Sequence, residues 1–187
     1  MWRTILSLTS IAFFCLPARA QQKAEKPSVE LFFGYSQARA IKAGGNAPLA
    51  PGYSFSAAFN RNAWLGFVID VGHQYGGESV VTPVGEFKSR ETVRTFLFGP
   101  RVFYRGSRTF TPFAHFLIGG ATDRLTGSLG PISISTNRDS LVLAAGGGLD
   151  VRLRKGVVIR GAQLYYMRFG ADGPARVRFS AGVVFRF

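Results

Sequence analysis

Two histidines, His73 and His115, are the side chains of this sequence most suited to acid–base chemistry. A hydrolytic site needs a nucleophile, a base and a third group that orients the base. Glu78 and Ser79 follow His73 at a spacing that matches no catalytic motif, and His115 has no serine or acid close by in the sequence. We therefore expect no catalytic residues. A lipid-A-modifying or other membrane enzyme centred on His73 or His115 stays an alternative, because such sets are recognised by geometry.

Metal and cofactor chemistry has still less support in the residues present. A Cys-based zinc site is excluded by a single cysteine, Cys15, and the carboxylates are not clustered for a hard cation. The three glycines at 146–148 lack the Lys-Ser/Thr and the helix that follow a phosphate-binding loop. Three glycines in a strand are better suited to strong curvature. The sequence predicts neither a metal nor a cofactor.

The first twenty of the 187 residues have the features of a secretory signal peptide. Arg3 supplies the positive start, an apolar run covers 5–16, and Ala18 and Ala20 form an A-x-A cleavage site. The run is too short for a transmembrane helix, which needs about 17–25 apolar residues. We predict cleavage after Ala20, a flexible polar segment at 21–27, and one domain over 28–187. Cys15 leaves with the signal peptide.

The elements that follow alternate with a period of two, which predicts β-strands. In residues 176–187 one face is apolar, with Val177, Phe179, Ala181, Val183, Phe185 and Phe187. The other face carries Arg176, Arg178, Ser180, Gly182, Val184 and Arg186. Eight segments show the pattern, at 29–35, 53–59, 65–75, 94–104, 112–121, 141–153, 157–168 and 176–187. The phase is ambiguous in 112–121 and 157–168, and the positions of Arg160 and Gln163 in the latter suggest a β-bulge.

Long and tight connections alternate between these strands. We expect longer links at 37–51, 76–89 and 122–139, tight turns at 61–62, 105–108 and 154–156, and a modest link at 169–174. An even number of strands running up and down, with tight turns on one rim, is typical of transmembrane β-barrels. The predicted fold is all-β, an eight-stranded antiparallel up-and-down transmembrane barrel.

Alternation alone does not say which face points outward, and a soluble barrel that binds an apolar ligand is the alternative. Small residues on the polar face suit the narrow interior of an eight-stranded barrel. Aromatic residues near strand ends suit the girdles at the membrane surface. The girdle candidates are Tyr53, Trp64, Tyr104, Tyr165, Tyr166, Phe185 and Phe187. Both observations favour a membrane barrel.

Strand charges on the polar face are then expected inside the barrel, because an Arg or Lys facing mid-membrane lipid costs about 2–4 kcal/mol. We predict a luminal charge network of Asp70, His115, Asp150, Arg152, Arg160, Arg178 and Arg186. Asp70 and Asp150 are the expected partners of Arg152, Arg160 and Arg178. Either Arg94 or Arg101 is also expected to lie on a strand. The network is predicted to plug the lumen, and a narrow gated pore is the alternative.

The net charge of +13 does not require a nucleic-acid partner, because it includes many cations outside the predicted network. They are spread over many turns and loops instead of forming one patch, and the chain has a secretory leader. Arginine and lysine bind phosphate well, so some of them are expected to meet lipopolysaccharide and other outer-membrane lipids. We expect no nucleic-acid partner and a monomer.

Several segments also resemble a known family. They are FGPRVFY (98–104), PFAHFLIGGA (112–121), GGGLDVRL (146–153) and RFSAGVVFRF (178–187). They resemble the outer-membrane β-barrel domain family, which includes the transmembrane part of outer-membrane protein A, outer-membrane protein X and the opacity-type surface proteins. The resemblance implies a Gram-negative outer-membrane location and a structural or surface-interaction role. It also implies that Val183, Phe185 and Phe187 are read by the outer-membrane assembly machinery.

Overall fold

The computed structural model describes residues 28–42, 45–46, 49–82, 85–107, 109–129, 132–170 and 173–187. The predicted signal peptide with Ala18 and Ala20, and the predicted flexible segment at 21–27, lie outside these residues. Within the described ranges, no helix is long and apolar enough to cross a membrane.

Eight long strands make up almost all of the described chain. They are β1 (Ser28–Lys42), β2 (Ala50–Asn60), β3 (Leu65–Thr82), β4 (Gly85–Phe103), β5 (Phe110–Leu129), β6 (Ile132–Arg154), β7 (Val157–Phe169) and β8 (Ala175–Arg186). A two-residue strand, Gly45–Asn46, folds back on the end of β1. Each long strand pairs antiparallel with the next, and β8 pairs with β1, for example at Gly34 and Gly182. The predicted closed eight-stranded antiparallel barrel is therefore confirmed.

The exposed face of the barrel is apolar and the buried face is polar or small. In β8, Arg178 and Ser180 have no exposed surface, whereas Phe179 between them is 43% exposed. The same inversion occurs in β4, where Arg101 is buried and Phe98 is exposed. A soluble protein buries its apolar side chains, so this arrangement is that of a barrel whose outer wall contacts lipid.

The suspected β-bulge lies in β7. The β7–β8 register shifts between Arg160 and Gln163, and both side chains are buried. Two residues therefore separate consecutive inward positions, and the inward phase changes from even to odd numbers. Tyr165 consequently points into the barrel with no exposed surface, so its assignment to the aromatic girdle is wrong. The other six girdle candidates are exposed on the outer wall.

The predicted long links at 76–89 and 122–139 are largely strand, which corrects the sequence interpretation. The β3–β4 ladder continues to the Thr82–Gly85 pair, and the β5–β6 ladder continues to the Leu129–Ile132 pair. These hairpins are joined through the β4–β5 ladder, which reaches the Phe87–Leu129 pair. We call the four-stranded extension 75–82, 85–92, 122–129 and 132–140 the flap. Alternation is required only where the two faces meet different surroundings, so paired strands wetted on both sides leave little periodicity to detect.

Candidate functional site

The interior holds two clusters of charged side chains, one in each half of the barrel. In the first, Arg101 bridges two carboxylates, with 2.7 Å from Nη1 to Glu30 Oε2 and 3.1 Å from Nη2 to Asp150 Oδ2. Arg160 donates two hydrogen bonds to the same Asp150 carboxylate, with 2.7 Å from Nε to Oδ1 and 3.1 Å from Nη2 to Oδ2. All four side chains are buried. Each carboxylate is therefore shared between arginines contributed by different strands.

Aromatic rings pack against the two guanidinium groups of this cluster. The Phe113 ring lies 4.3 Å from Arg101 Cζ and 4.4 Å from Arg160 Cζ, measured to the ring centroid. Phe32 lies 4.6 Å from Arg160 Cζ on the same measure. Cation–π contacts gain strength when they are desolvated. The rings therefore help to hold two like charges close together.

The second cluster centres on Asp70 and Arg178, which form an ion pair with no exposed surface on either side chain. The Tyr165 hydroxyl donates to Asp70 Oδ2 at 3.2 Å, and Arg178 Nη1 donates to Thr95 Oγ1 at 3.2 Å. Arg178 also stacks over the Tyr165 ring, 4.5 Å from Cζ to the centroid. Gly72 leaves the room for this guanidinium, because a Cβ there would collide with Arg178 Nη1.

Further ion pairs lie at the two rims. Glu30 Oε1 accepts from Arg105 Nη2 at 3.2 Å and from Arg186 Nε at 2.8 Å. At the flap end, Arg176 Nη2 donates to Glu91 Oε1 at 2.6 Å and to Asp123 Oδ2 at 2.9 Å. Burial and the adjacent Glu91 raise the pKa of Asp123, and Arg176 opposes that rise.

His115 lies between the clusters without joining them by a hydrogen bond. Its ring stacks on Tyr165, with centroids 4.7 Å apart and an interplanar angle of 8°. Neither ring nitrogen has a hydrogen-bond partner among the described residues. Among the described residues, His115 is therefore not hydrogen-bonded to any nucleophile or acid. His73 lies on the outer wall, stacked on Tyr53 with centroids 5.1 Å apart.

The structure buries five of the seven predicted network residues, and these are Asp70, His115, Asp150, Arg160 and Arg178. Arg186 is at the rim, and its partner is Glu30 instead of an aspartate. Arg152 is exposed, so its predicted pairing with an aspartate is wrong. The register shift between Arg152 and Arg154 ends the regular inward alternation at that point.

Sequence reasoning missed Glu30, Arg101 and Tyr165 as partners. Glu30 shares its inward face with Phe32, so β1 shows no clean polar face. The sequence analysis named Arg94 and Arg101 as alternatives, and the structure buries Arg101 and exposes Arg94. The strict alternation of outward Phe96 and Phe98 in β4 was the signal that would have placed Arg101 inside and Leu97 beside it.

The two clusters connect six strands across the lumen and fill its cross-section with large side chains. Arg101, Arg178, Tyr165 and Phe32 are among the largest completely buried side chains. Among the described residues, no group of three or more His, Cys, Asp or Glu side chains is placed to hold a metal ion. The geometry of the described residues therefore supports a packed interior.

The flap is the other distinctive feature, and its far edge is open. The β7 side of β6 is paired only as far as Val142, opposite Phe169. Leu141 O accepts from Gly170 N at 2.7 Å, so odd-numbered residues of β6 direct their backbone groups to this side. In the described chain, residues 132–140 of β6 pair with β5 alone.

The two faces of the flap differ in character. The face that continues the lumen carries exposed apolar side chains, with Phe87, Leu125 and Ile134 being 43%, 51% and 70% exposed. The outward face carries Ser, Thr, Arg and Lys side chains in cross-strand rows. An apolar surface exposed to water is a more frequent sign of an interaction site than a polar surface is.

Solved structures with the same fold are bacterial outer-membrane proteins. The attachment invasion locus protein of Yersinia pestis, in complex with the heparin analogue sucrose octasulfate, is 18% identical with a TM-score of 0.68, covering 87% of this chain and 100% of that one. Neisserial surface protein A is 18% identical with a TM-score of 0.56, covering 89% and 100%. The outer membrane protein OprG from Pseudomonas aeruginosa is 14% identical with a TM-score of 0.55, covering 86% and 96%.

No protein-family model matches the sequence, and no curated protein matches it. At these identities the solved structures establish the fold alone, which is that of the small eight-stranded outer-membrane β-barrels.

Proposed function

We propose that this protein is a small barrel of a Gram-negative outer membrane whose role is to bind surface partners through its flap. The observation that carries the proposal is the flap itself, which adds paired strands beyond the apolar wall and, among the described residues, leaves 132–140 of β6 unpaired on the β7 side. A membrane barrel needs only about 9–11 residues per strand to span the bilayer. Strand β6 has 23 residues, so much of it serves another purpose.

The outer-membrane location rests on the apolar outer wall and on the shared fold. Closure pairs the backbone groups of every strand, which an open sheet in lipid does not achieve. Residues 1–20 would act as a signal peptide cleaved after Ala20, and the apolar face of β8, with Val183, Phe185 and Phe187 exposed, would be read by the assembly machinery. N-terminal sequencing of the membrane-extracted protein tests the cleavage.

The open edge of β6 suits the addition of a partner strand. Backbone N–H and C=O groups of an unpaired edge bind an extended segment, and pockets for alternate side chains give selectivity. On β6, Ser133, Ser135 and Asn137 are the odd-numbered residues that present these groups. The neighbouring apolar side chains Leu125 and Ile134 supply contacts for the partner's own side chains.

The interior is proposed to stabilise the barrel without conducting or catalysing. Its charges are paired across strands, and no histidine has a nucleophile beside it. A narrow pore is the second candidate, since charged residues in membrane proteins often mark pathways. Planar-bilayer conductance of the intact protein separates the two, because a plug gives no discrete single-channel steps.

The test of the surface role uses bacteria that display the protein and counts those that attach to a layer of cultured animal cells. Ser135→Pro removes one backbone N–H from the open edge without touching the β5 side of β6. Ser135→Ala is the matched control, because it removes the same hydroxyl but keeps the N–H. We expect Ser135→Pro to lower attachment and Ser135→Ala to leave it unchanged.

A second variant shortens the flap by deleting 126–135 and closing the gap with a two-residue turn between Leu125 and Thr136, which are cross-strand partners. The heat-modifiable shift on gels shows whether each variant folds. Folded variants that attach as well as the unaltered protein would overturn the surface role and leave the barrel assignment intact.

A further inference from the structure

We propose that the rim opposite the flap binds the carboxylate-bearing stem peptides of the bacterial cell wall. The inference rests on the proposed outer-membrane location, which turns this rim towards the periplasm, and it goes beyond the surface role of the flap. We call the surface the basic rim. It consists of cationic side chains on the turns and strand ends of this rim, namely Arg61, Arg105, Arg152, Arg154, Lys155 and Arg186.

Backbone hydrogen bonds join the segments that carry these cations. Arg152 N, near the end of β6, donates to Thr109 O of the β4–β5 turn at 2.8 Å, and Arg186 N of β8 donates to Gly156 O of the β6–β7 turn at 2.9 Å. Gly156 makes that turn tight, with a φ of 82° that suits glycine. The cations are therefore scattered along the sequence but stand on one fixed frame, so that less entropy is lost when a partner binds.

The positive charge of the basic rim exceeds what the carboxylates nearby can neutralise. Among the described residues of this rim, the acidic side chains are Glu30 and Asp150, and both are buried. Each of them already accepts hydrogen bonds from at least two arginines. The cations that remain exposed are Arg61, Arg152, Arg154 and Lys155. A surface with charges of one sign attracts a partner of the opposite sign from a distance, so the rim is suited to a polyanion.

Two arginines of the basic rim lie at the mouth of the lumen, on the barrel axis. Arg105 Nη2 and Arg186 Nε both donate to Glu30 Oε1, at 3.2 Å and 2.8 Å. The Arg105 guanidinium also lies over the buried Phe103 ring, 4.4 Å from Cζ to the centroid. Lipid headgroups surround the barrel and do not reach its axis. A partner that contacts these two arginines therefore approaches from the periplasm and is not a membrane lipid.

The pairing of Arg105 and Arg186 with Glu30 shows that this mouth accepts a carboxylate, and guanidinium groups match carboxylate geometry well. The stem peptides of the cell wall carry free carboxylates at regular intervals, in a layer that lies beneath the outer membrane. One such polymer can contact the exposed turn residues Arg154 and Lys155 while another of its carboxylates meets the mouth. Several weak contacts to one polymer reinforce each other, so the rim holds the barrel against the wall.

The test places the protein without residues 1–20 in phosphatidylcholine nanodiscs and measures its cosedimentation with purified cell-wall sacculi. Arg154→Gln/Lys155→Gln should weaken binding about tenfold, since two exposed charge contacts are lost together. The matched control is Arg90→Gln/Arg124→Gln, which removes two equally exposed cations from the flap and should bind normally. Sacculi whose carboxylates have been converted to amides should not retain the unaltered protein.

Binding that survives amidation, or equal binding by Arg154→Gln/Lys155→Gln and the unaltered protein, would overturn the proposal. Phosphatidylglycerol added to the nanodiscs should leave cosedimentation in place, because Arg105 and Arg186 stay accessible from the periplasm. Its loss would identify the cations as headgroup sites and would also overturn the proposal.

Failure here is distinguishable from failure of the surface role. Ser135→Pro should leave cosedimentation with sacculi unchanged, and Arg154→Gln/Lys155→Gln should leave attachment to cells unchanged. A protein that does not insert into nanodiscs at all would refute the membrane location instead.

Discussion

Removal of Asp70 should destabilise the barrel far more than removal of its partner Arg178. Both side chains are completely buried and paired with each other. Asp70→Leu leaves the Arg178 guanidinium, which cannot release its proton, with only the Thr95 hydroxyl at 3.2 Å and the Tyr165 side chain as polar neighbours among the described residues. Breaking a buried pair in this way costs about 3–5 kcal/mol.

The loss of the Tyr165 hydrogen bond to Asp70 adds about 1 kcal/mol. Arg178→Met costs less, because the Asp70 carboxylate left behind keeps its hydrogen bond from the Tyr165 hydroxyl. The double variant Asp70→Leu/Arg178→Met replaces the pair by apolar side chains, which is often close to neutral. The double-mutant cycle should therefore be strongly non-additive.

The assay is urea unfolding of the protein refolded into lipid vesicles without residues 1–20. Trp64 is then the single tryptophan, and it lies exposed on the outer wall, so its fluorescence reports insertion. Asp139→Asn is the control, since Asp139 is exposed and accepts one hydrogen bond from Thr122. It should cost no more than about 1 kcal/mol. Equal losses for Asp70→Leu and Arg178→Met, or additive effects in the double variant, would refute the reasoning.

Three further outcomes follow from the geometry. Gly72→Ala should lower the free energy of unfolding, because the added methyl group collides with Arg178, whereas Gly161→Ala, in open space, should change it little; the urea assay compares them. Phe187→Ala should slow assembly in vesicles that contain the assembly machinery, and unchanged kinetics would contradict its role. Asp123 lies in the flap, beyond the apolar wall, and burial raises its pKa. Its contribution to the free energy of unfolding is therefore present at low pH and lost as the pH rises through that pKa. Asp123→Asn should make the free energy of unfolding depend less on pH, and an unchanged slope would count against this reasoning.

Much of the barrel could be predicted from sequence, since one face of each strand had to differ from the other. Where lipid lies on one side and a crowded lumen on the other, the period of two is unavoidable, as in β8 with Phe179 outward and Arg178 inward. The bulge near Arg160 was detectable for the same reason. The flap was not, because its described side chains are exposed or half-buried on both faces, and the many polar residues of 76–89 and 122–139 resemble those of loops.

The interior could be predicted only in part. Asp70, Asp150 and Arg178 occupied clear inward positions and Arg160 lay in a segment of ambiguous phase, and all four are buried. The ion-pair partners of these residues could not be predicted, since Glu30 and Arg101, for example, are separated by 71 positions in the chain. No local pattern records such a distance, and β1 has Phe32 on the same inward face as Glu30.

The sequence by itself determined the strands, their number and, where no bulge interrupts a strand, most of the side chains that face inward, because these depend on alternation within single segments. Tertiary structure alone decided which charges meet, since barrel closure brings Arg178 of β8 to Asp70 of β3 across 108 positions. It also decided that Tyr165 lies inside, because one bulge reverses the phase of the residues that follow it. Pairing between distant strands is set by register and closure, and neither is encoded in the spacing of residues along one strand.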